Sequence, residues 1–222
     1  MGNLQRKQGK NNEAYDLFQE ALTIYEKNSS SLEADIPFAL MSLGRIEYKE
    51  RNFDESLNYY YRAANVLKEV SCTDYCRITD SLYWVGRNYY KKQCYDRAIE
   101  FYEQCLRIEE ASSIPEQLTI DKFLEDLSDI KQFQLQYESS LAYELNCLLM
   151  REKFLPPNHQ DIGESLSNIG LCYKHLNQRK LALDYYKRAL VVYEQCLLAT
   201  DDRWTIESKI EELSIEINQL NI

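Results

Sequence analysis

Residues 82–105 read LYWVGRNYYKKQCYDRAIEFYEQC and contain the pattern that decides the fold. The first half carries small and apolar residues at the i, i+3, i+4, i+7 spacing of one helix face: Leu82, Val85, Gly86 and Tyr89. The second half has helical spacing again: Ala98, Tyr102 and Cys105. The stretch therefore predicts two consecutive helices joined by a short turn.

The same pattern returns every 42 residues along the chain. One register of this period holds only small residues: Gly2, Gly44, Gly86, Ser128 and Gly170. Two further registers are also small: Ala14, Ser56, Ala98, Ser140 and Ala182, and then Ala21, Ala63, Cys105, Cys147 and Ala189. A fourth register is aromatic in four of its five positions: Phe18, Tyr60, Tyr102, Glu144 and Tyr186. Four registers with one period indicate about five helix-pair repeats.

The small residues have a physical role in such a repeat. Where the first helix of a repeat (helix A) crosses the second (helix B), a glycine or alanine lets the two backbones approach closely, and an aromatic ring of the partner helix fills the notch. Only six glycines and four prolines occur among 222 residues, which favours helices and short turns. Because one pair cannot bury its apolar face alone, neighbouring pairs must stack.

The period alone also fits HEAT or armadillo repeats, but the order of residue types is more specific. The pattern Leu-x2-Leu/Val/Ile-Gly-x2-Tyr, followed by Ala-x3-Tyr/Phe-x2-Ala, resembles the tetratricopeptide repeat (TPR) signature over residues 1–198. This resemblance implies an all-α fold, a right-handed α-solenoid of stacked antiparallel helix pairs. The length of the repeat is similar to that in the kinesin light chain family.

The fifth repeat is the most similar to kinesin light chain repeats. Three segments carry the likeness: His159-x-Asp161-Ile162, Leu166-x-Asn168, and Tyr185 to Leu190. The linker departs from the family at Gln160, where a proline is usual. The fourth repeat departs further, since Glu144 replaces the aromatic residue, and we interpret it as degenerate.

The chain is expected to form a single TPR solenoid over residues 1–222. Its units are a partial repeat and four full ones, followed by a C-terminal capping helix: 1–35, 36–77, 78–119, 120–161, 162–200 and 201–222. The last segment has apolar residues at helical spacing with no partner helix after it: Ile206, Ile210, Leu213, Ile217 and Leu220.

Composition excludes several classes of partner. Thirty-six acidic and 26 basic side chains give a net charge of −10, which argues against a nucleic-acid partner. No run of 18 apolar residues occurs, so we expect no membrane partner, and the N-terminus lacks the apolar core of a signal peptide. Seven scattered cysteines in such a chain read as reduced thiols, and we expect a cytoplasmic protein.

Catalytic and metal-binding motifs are not evident. Cys72 and Cys76 have no second ligand pair for zinc, and Cys172 with His175 lacks a group to orient a base. No phosphate-binding loop is present. We therefore expect no enzyme activity, no catalytic residues, no metal site and no cofactor.

A peptide-binding groove is the candidate functional site. In a TPR stack, the helix A residues outside the packing signature line the concave surface. The candidates are Arg45, Tyr48, Lys49, Tyr83, Trp84, Arg87, Tyr90, Lys91, Asn168 and Lys174. Arg45 and Arg87 could fork carboxylates of an acidic peptide while the aromatic rings stack on apolar side chains. The alternatives are that the charges form a solvated face and that Trp84 packs within the stack.

The charge excess lies in two stretches, residues 121–164 and residues 194–222, each with a net charge of −5. The first covers the fourth repeat, so a basic partner there is an alternative to a solvated acidic surface.

We interpret the chain as a non-enzymatic protein–protein interaction scaffold that binds a partner peptide in the TPR groove. A kinesin-light-chain-like adaptor is one form of this role, although no heptad segment is evident. The alternative from another class is the regulatory TPR tail of a larger enzyme, which the shortened first repeat suggests. Self-association through the uncapped N-terminal end is a further hypothesis.

Overall fold

The computed structural model describes residues 11–27, 35–70, 75–112, 117–196 and 200–219. Within these ranges the regular structure is entirely helical. The ten helices are α1 Asn11–Lys27, α2 Ile36–Lys49, α3 Phe53–Val70, α4 Tyr75–Lys91, α5 Tyr95–Ala111, α6 Gln117–Phe133, α7 Tyr137–Phe154, α8 Gln160–His175, α9 Arg179–Gln195 and α10 Thr200–Gln219. The all-α prediction is confirmed, and none of these helices is long and apolar enough to cross a membrane.

The helices form two compact units, residues 1–116 and 117–222, and within each unit helices that follow one another along the chain pack against each other. In the first unit, α2 pairs with α3 and α4 pairs with α5, while α1 packs on α2. In the second unit, α6 pairs with α7 and α8 pairs with α9, while α10 packs on α9. The expected repeat boundaries at 78, 120 and 162 fall within the first turn of α4, α6 and α8.

The contact between helix A and helix B is built on a glycine and a tyrosine ring. Gly86 lies so close to Tyr102 that a Cβ atom on the glycine would be 2.5 Å from ring carbon Cε1. The equivalent distances are 2.9 Å for Gly44 and Tyr60 and 2.7 Å for Gly170 and Tyr186. All three tyrosine side chains are fully buried. The interpretation of these two registers as a notch and the ring that fills it is therefore confirmed.

The fourth repeat replaces both members of this contact. Ser128 stands in the glycine register and Glu144 in the tyrosine register. The Ser128 hydroxyl donates a hydrogen bond of 2.8 Å to Glu144 Oε1 and lies 2.9 Å from the Ser140 hydroxyl. A Cβ in the glycine register would collide with a tyrosine ring. Ser128 therefore fits only because its partner, Glu144, is narrower than tyrosine. The repeat is thus a polar version of the same crossing.

In three repeats a second contact joins the two helices. It lies seven residues before the glycine register on helix A and seven residues after the tyrosine register on helix B. Its chemistry changes along the chain. In α4 and α5, Thr79 donates a hydrogen bond of 2.9 Å to buried Glu109. In α8 and α9, Gly163 packs under the ring of Tyr193, where a Cβ would lie 2.5 Å from the ring.

In the fourth repeat the second contact is a buried ion pair. Arg151 Nε donates to both carboxylate oxygens of Asp121, at 3.0 and 2.9 Å. Arg151 Nη1 also donates to the carbonyl of Asp161 and to the hydroxyl of Ser165, at 3.0 and 2.9 Å. The guanidinium therefore joins α6, α7 and the first turns of α8 although its side chain is only 4% exposed.

The turns between helix A and helix B share one strained residue. Residues at four positions with the 42-residue period have left-handed backbone: Arg51, Gln93, Leu135 and Asn177. At Leu135, φ is 58°, and its amide donates to the carbonyl of Gln132 while the next amide donates to Lys131. Many helices end with this hydrogen-bond pattern and have glycine at the left-handed position, yet none of these four residues is glycine.

The segment after residue 200 forms α10, which buries Ile206 and Leu213 among the side chains of the last helix pair. Gly2, Cys72 and Leu220, which belong to patterns in the sequence, lie outside the described residues.

We expect Gly86→Ala to lower the free energy of unfolding by about 1–3 kcal/mol, the usual cost of overpacking a core. The added methyl group would collide with the buried ring of Tyr102. In a Tyr102→Leu background the same substitution should cost clearly less, because the smaller side chain leaves room. Urea denaturation of the two single variants and the double variant measures this coupling, and strictly additive losses would contradict the notch.

We expect Leu135→Gly to raise the free energy of unfolding by up to about 1 kcal/mol, since glycine adopts left-handed backbone without the steric penalty of a Cβ. The Leu135 side chain is 71% exposed, so little packing is lost. Leu135→Ala keeps the Cβ and should give no gain. Equal stabilities of the two variants in urea denaturation would show that the turn is unstrained.

Candidate peptide-binding groove

Trp84 lies at the centre of an aromatic cluster in the first unit. Its ring stacks on Tyr60 of the preceding helix B, with 5.8 Å between centroids and 6° between planes. Tyr48 of α2 meets it edge-on at 5.2 Å, and Tyr83 lies 6.1 Å away. Trp84 therefore packs between consecutive repeats while its side chain stays partly exposed. We call these four residues the Trp84 cluster.

Both candidate arginines lie on this cluster. The guanidinium carbon of Arg45 lies 5.4 Å from the centroid of the Trp84 ring. Arg87 Nη1 donates a hydrogen bond of 3.0 Å to the Tyr83 hydroxyl, and its guanidinium lies 5.8 Å from the centre of that ring. Aromatic faces attract cations. A guanidinium that lies against a ring face can still donate hydrogen bonds from its edge. The Trp84 ring therefore supports Arg45, and the Tyr83 ring supports Arg87.

Around Trp84, the buried hydrogen-bond donors without a partner among the described residues include Arg45 Nε, Tyr48 Oη and Tyr60 Oη. Each can donate a hydrogen bond. Burial raises the pKa of Tyr60, and the nearby Arg45 guanidinium partly offsets that rise, while Asp80 adds to it. Arg45 and Tyr60 are thus close enough to interact electrostatically, but the Tyr60 hydroxyl makes no hydrogen bond of good geometry. The tyrosine keeps its proton and remains a donor at neutral pH.

The other candidates of the first unit lie toward the C-terminal ends of the helices. Tyr90 packs edge-on against Tyr95 at 5.8 Å, and Lys91 Nζ lies 5.5 Å from the centre of the Tyr90 ring. Lys49 is exposed in the last turn of α2. These residues extend the basic and aromatic surface beyond the Trp84 cluster.

The two candidates of the second unit make internal contacts. Asn168 Nδ2 donates a hydrogen bond of 3.2 Å to Glu144 Oε1. Lys174 pairs with Glu212 of α10 at 3.0 Å. Asn168 lies two periods after Trp84, and both residues face the preceding helix B. The Asn168 amide hydrogen that bonds Glu144 is not available to a peptide backbone.

Glu144 is a buried carboxyl group, only 1% exposed, inside the second unit. Desolvation by burial raises its pKa to about 7, and hydrogen bonds from Ser128 and Asn168 oppose the rise. The group therefore carries a proton under mildly acidic conditions and loses it near neutral pH.

Reasoning from the sequence missed Tyr60 and Glu144 as parts of the candidate site. Both lie in the register that the repeat pattern assigns to packing within one repeat, and their other face meets helix A of the next repeat. The sequence does contain a signal for this. Trp84 and Asn168 occupy the same register, so each should contact the equivalent residue of the preceding helix B, Tyr60 or Glu144. The choice between groove and packing for that register depends on how the repeats stack.

The histidines and cysteines have structural roles. The His159 ring accepts a hydrogen bond from the amide of Asp161 and caps α8, while His175 stacks on Tyr137 at 4.1 Å. Cys105 and Cys147 are fully buried, and burial raises the pKa of both thiols. In the part of the chain that the structure describes, no group of His, Cys, Asp and Glu could hold a metal ion.

We expect the stability of the protein to fall as the pH rises from about 4.5 to about 7. The folded-state pKa of Glu144 lies above its ordinary value, so the folded state keeps a proton that the unfolded chain releases. The stabilisation from this proton is complete below the ordinary pKa and is lost as the pH passes the raised one. Glu144→Gln is always neutral and should be more stable than the wild type at pH 8, by at least about 1 kcal/mol.

Denaturant midpoints at pH 5 and pH 8 test this expectation. Glu138→Gln is the matched control, because Glu138 is exposed at the start of the same helix. A Glu144→Gln variant with the same pH dependence as the wild type would show that Glu144 does not titrate in this range.

Family models match two parts of the chain. Residues 79–112 and residues 118–195 each match a model described as tetratricopeptide repeat, and together the matches cover half of the chain. No protein in the curated set matches the sequence.

Several solved structures share the fold. The TPR-like repeats assigned to a kinesin light chain of Podosopora anserina have a TM-score of 0.72 at 15% identity, covering 89% of this chain and 93% of theirs. BtubC (BKLC) from P. vanneervenii has a TM-score of 0.71 at 15% identity, covering 97% and 92%. The apo form of RapI has a TM-score of 0.74 at 16% identity, covering 87% and 68%.

At these identities the structural likeness shows the fold alone, and it agrees with the family models. Helix pairs with a 42-residue period, the notch that joins them, and both model matches all indicate the same kind of repeat. The chain belongs to the tetratricopeptide repeat family.

Proposed function

We propose that this chain is a non-enzymatic interaction scaffold that binds an acidic peptide segment of a partner protein along the helix A surface of its first unit. TPR repeats serve typically as protein-interaction scaffolds, and this coarser role follows from the family. We further propose that the bound peptide is acidic and that it lies on the Trp84 cluster.

The unpartnered donors carry this proposal. Arg45 Nε, Tyr48 Oη and Tyr60 Oη are buried around Trp84 and lack an acceptor among the described residues. These three atoms are inaccessible to water, so an acceptor reaches them only when the surrounding side chains shift; leaving them unpaired costs about 1–3 kcal/mol each, which favours that shift once an acceptor is present. A carboxylate accepts several hydrogen bonds at once and carries the charge that a guanidinium prefers.

The aromatic rings supply the apolar part of the site. Trp84 and Tyr83, which contact Arg45 and Arg87 respectively, remain partly exposed. Large rigid rings contribute strongly to protein interfaces at a low entropy cost, and arginine is enriched beside them. A peptide that places an acidic residue next to an apolar one therefore fits this surface best.

The free thiols support a cytoplasmic setting for this role. Six cysteines of the described residues are free, of which Cys76 and Cys94 are exposed. Exposed thiols persist as such in a reducing compartment. A kinesin-light-chain-like adaptor role is compatible with the shared fold, and it would require that the bound partner be a transported protein.

We expect Arg45→Glu combined with Arg87→Glu to abolish capture of partners that the wild-type protein retains from a cell lysate. The reversal of charge repels an acidic segment, and the loss should exceed about tenfold for each partner. Quantitative mass spectrometry of the retained proteins measures it, and captured segments are then tested as synthetic peptides with Glu and with Gln.

The matched control is Arg97→Glu combined with Arg107→Glu. These two arginines are 64% and 66% exposed on α5 in the same unit, so the control changes the net charge equally. All three proteins must show the same helical circular dichroism. Equal capture by the wild type and both variants would overturn the proposed site, whereas equal loss in both variants would indicate net charge rather than this surface.

A further inference from the structure

Helix α7 of the second unit has an inverted distribution of polar and apolar residues. Its buried residues include three polar side chains, Ser140, Glu144 and Arg151. Its outer surface carries exposed leucines, with Leu145 at 39% and Leu149 at 67% exposure. Single exposed leucines are ordinary on a protein surface, whereas adjacent apolar residues that form a contiguous patch mark binding surfaces.

The repeats themselves provide the comparison for this surface. Leu149 of α7 and Val191 of α9 occupy one register of the 42-residue period, and Val191 is 52% exposed. In the first unit the same register holds Thr23, Asn65 and Arg107. The described side chains of α3 and α5 include no exposed large apolar residue, whereas α7 and α9 have five. In α1, the helix B of the partial first repeat, Ile24 is the one such residue among the described side chains, so the exposed apolar surface is more extensive on the helix B side of the second unit.

A cavity of about 460 Å³ opens beside this register. Its lining is mostly aliphatic and comes from α7, α8, α9 and the turn before α8: Glu152, Pro157, Ile162, Leu166, Arg188, Val191 and Val192. Glu152 and Arg188, its two charged residues, form a long ion pair of 3.7 Å with both side chains about half exposed. A cavity of this volume takes one or two large apolar side chains.

The side chains of the patch are spaced by about one helical turn, which matches the spacing of side chains along a partner helix. Leu145, Leu149 and Glu152 follow i, i+4, i+7 spacing along α7, and the cavity begins at the third of these positions. A helix laid against this row presents apolar side chains at the same intervals. Lys153 and Lys187 are exposed beside the row, and Lys153 Nζ lies 5.0 Å from the centre of the Phe154 ring, so acidic residues suit the flanks of the partner.

We infer that Leu145, Leu149, Val191 and the adjacent cavity form a second binding surface, which accepts an amphipathic helix of a partner with acidic flanks. One apolar side chain of that helix enters the cavity and the next ones cover Leu149 and Leu145. This surface is separate from the Trp84 cluster and is used for a different segment of a partner.

The test uses a fluorescein-labelled synthetic peptide with leucines at i, i+3, i+4 and i+7 and glutamates on both flanks of the leucine stripe. Two control peptides have the same leucines with lysine flanks and the same composition in scrambled order. Fluorescence anisotropy against the full chain should show binding of the first peptide alone. Equal binding of the lysine or scrambled peptide, or no binding of the first, would overturn the inference.

The matched variant of the protein is Leu149→Asn combined with Val191→Asn, which installs at both positions the residue that Asn65 provides in this register of the first unit and leaves the net charge unchanged. Both positions are exposed, so the fold should be kept, as circular dichroism and the denaturant midpoint will show. We expect the affinity for the first peptide to fall about tenfold or more. Unchanged affinity would contradict the proposed surface.

Two further measurements distinguish binding at this surface from binding at the Trp84 cluster and from self-association. Arg45→Glu combined with Arg87→Glu should weaken binding of this peptide no more than the equally charged Arg97→Glu, Arg107→Glu control does, and a greater loss would place the peptide on the Trp84 cluster instead. Sedimentation of the wild type should show a monomer. A dimer that the Leu149→Asn, Val191→Asn variant abolishes would overturn the inference, because a second copy would then cover the patch.

Discussion

The close approach of a glycine to a tyrosine ring is the constraint on which each regular repeat depends. The ring of Tyr102 lies where a Cβ on Gly86 would be, so the distance between the two helices is fixed by the absence of one carbon atom. In the first unit the ring of Tyr60 also supports helix A of the next repeat, through its stacking on Trp84. One residue pair therefore sets both the crossing inside a repeat and the platform for its neighbour.

Much of this could be predicted from the sequence because the constraint leaves a periodic trace. Small residues in the register of Gly86 and aromatic ones in the register of Tyr102 can be recognised without knowing how the repeats stack. The strained turns leave no such trace, since Leu135 stands where glycine is usual and the surrounding helices impose its conformation. Ser128 and Glu144 can be recognised from the sequence as departures from the repeat pattern. Their hydrogen bond to each other depends on three-dimensional geometry, which the residues of one register do not reveal.

The candidate site shows where pattern reasoning ends. Arg45 and Arg87 can be identified as a pair from their spacing, yet their support by Trp84 and Tyr83 depends on ring orientations. The helix B side of the second unit has no distinctive signal in the sequence, because isolated leucines on a helix surface are ordinary. The exposure of Leu149, compared with its counterparts in the first unit, distinguishes it. The two surfaces belong to different units and to opposite helix types.

The second contact gives the three repeats that contain it individual identities. If α6 paired with α9 instead of α7, Asp121 would meet the ring of Tyr193 and lose its cation. If α8 took the place of α6 beside α7, Gly163 would leave Arg151 buried without a carboxylate, a defect of about 3–5 kcal/mol. Helices of similar shape therefore reject each other's partners, which opposes exchange of helices between molecules and slippage by one period during folding.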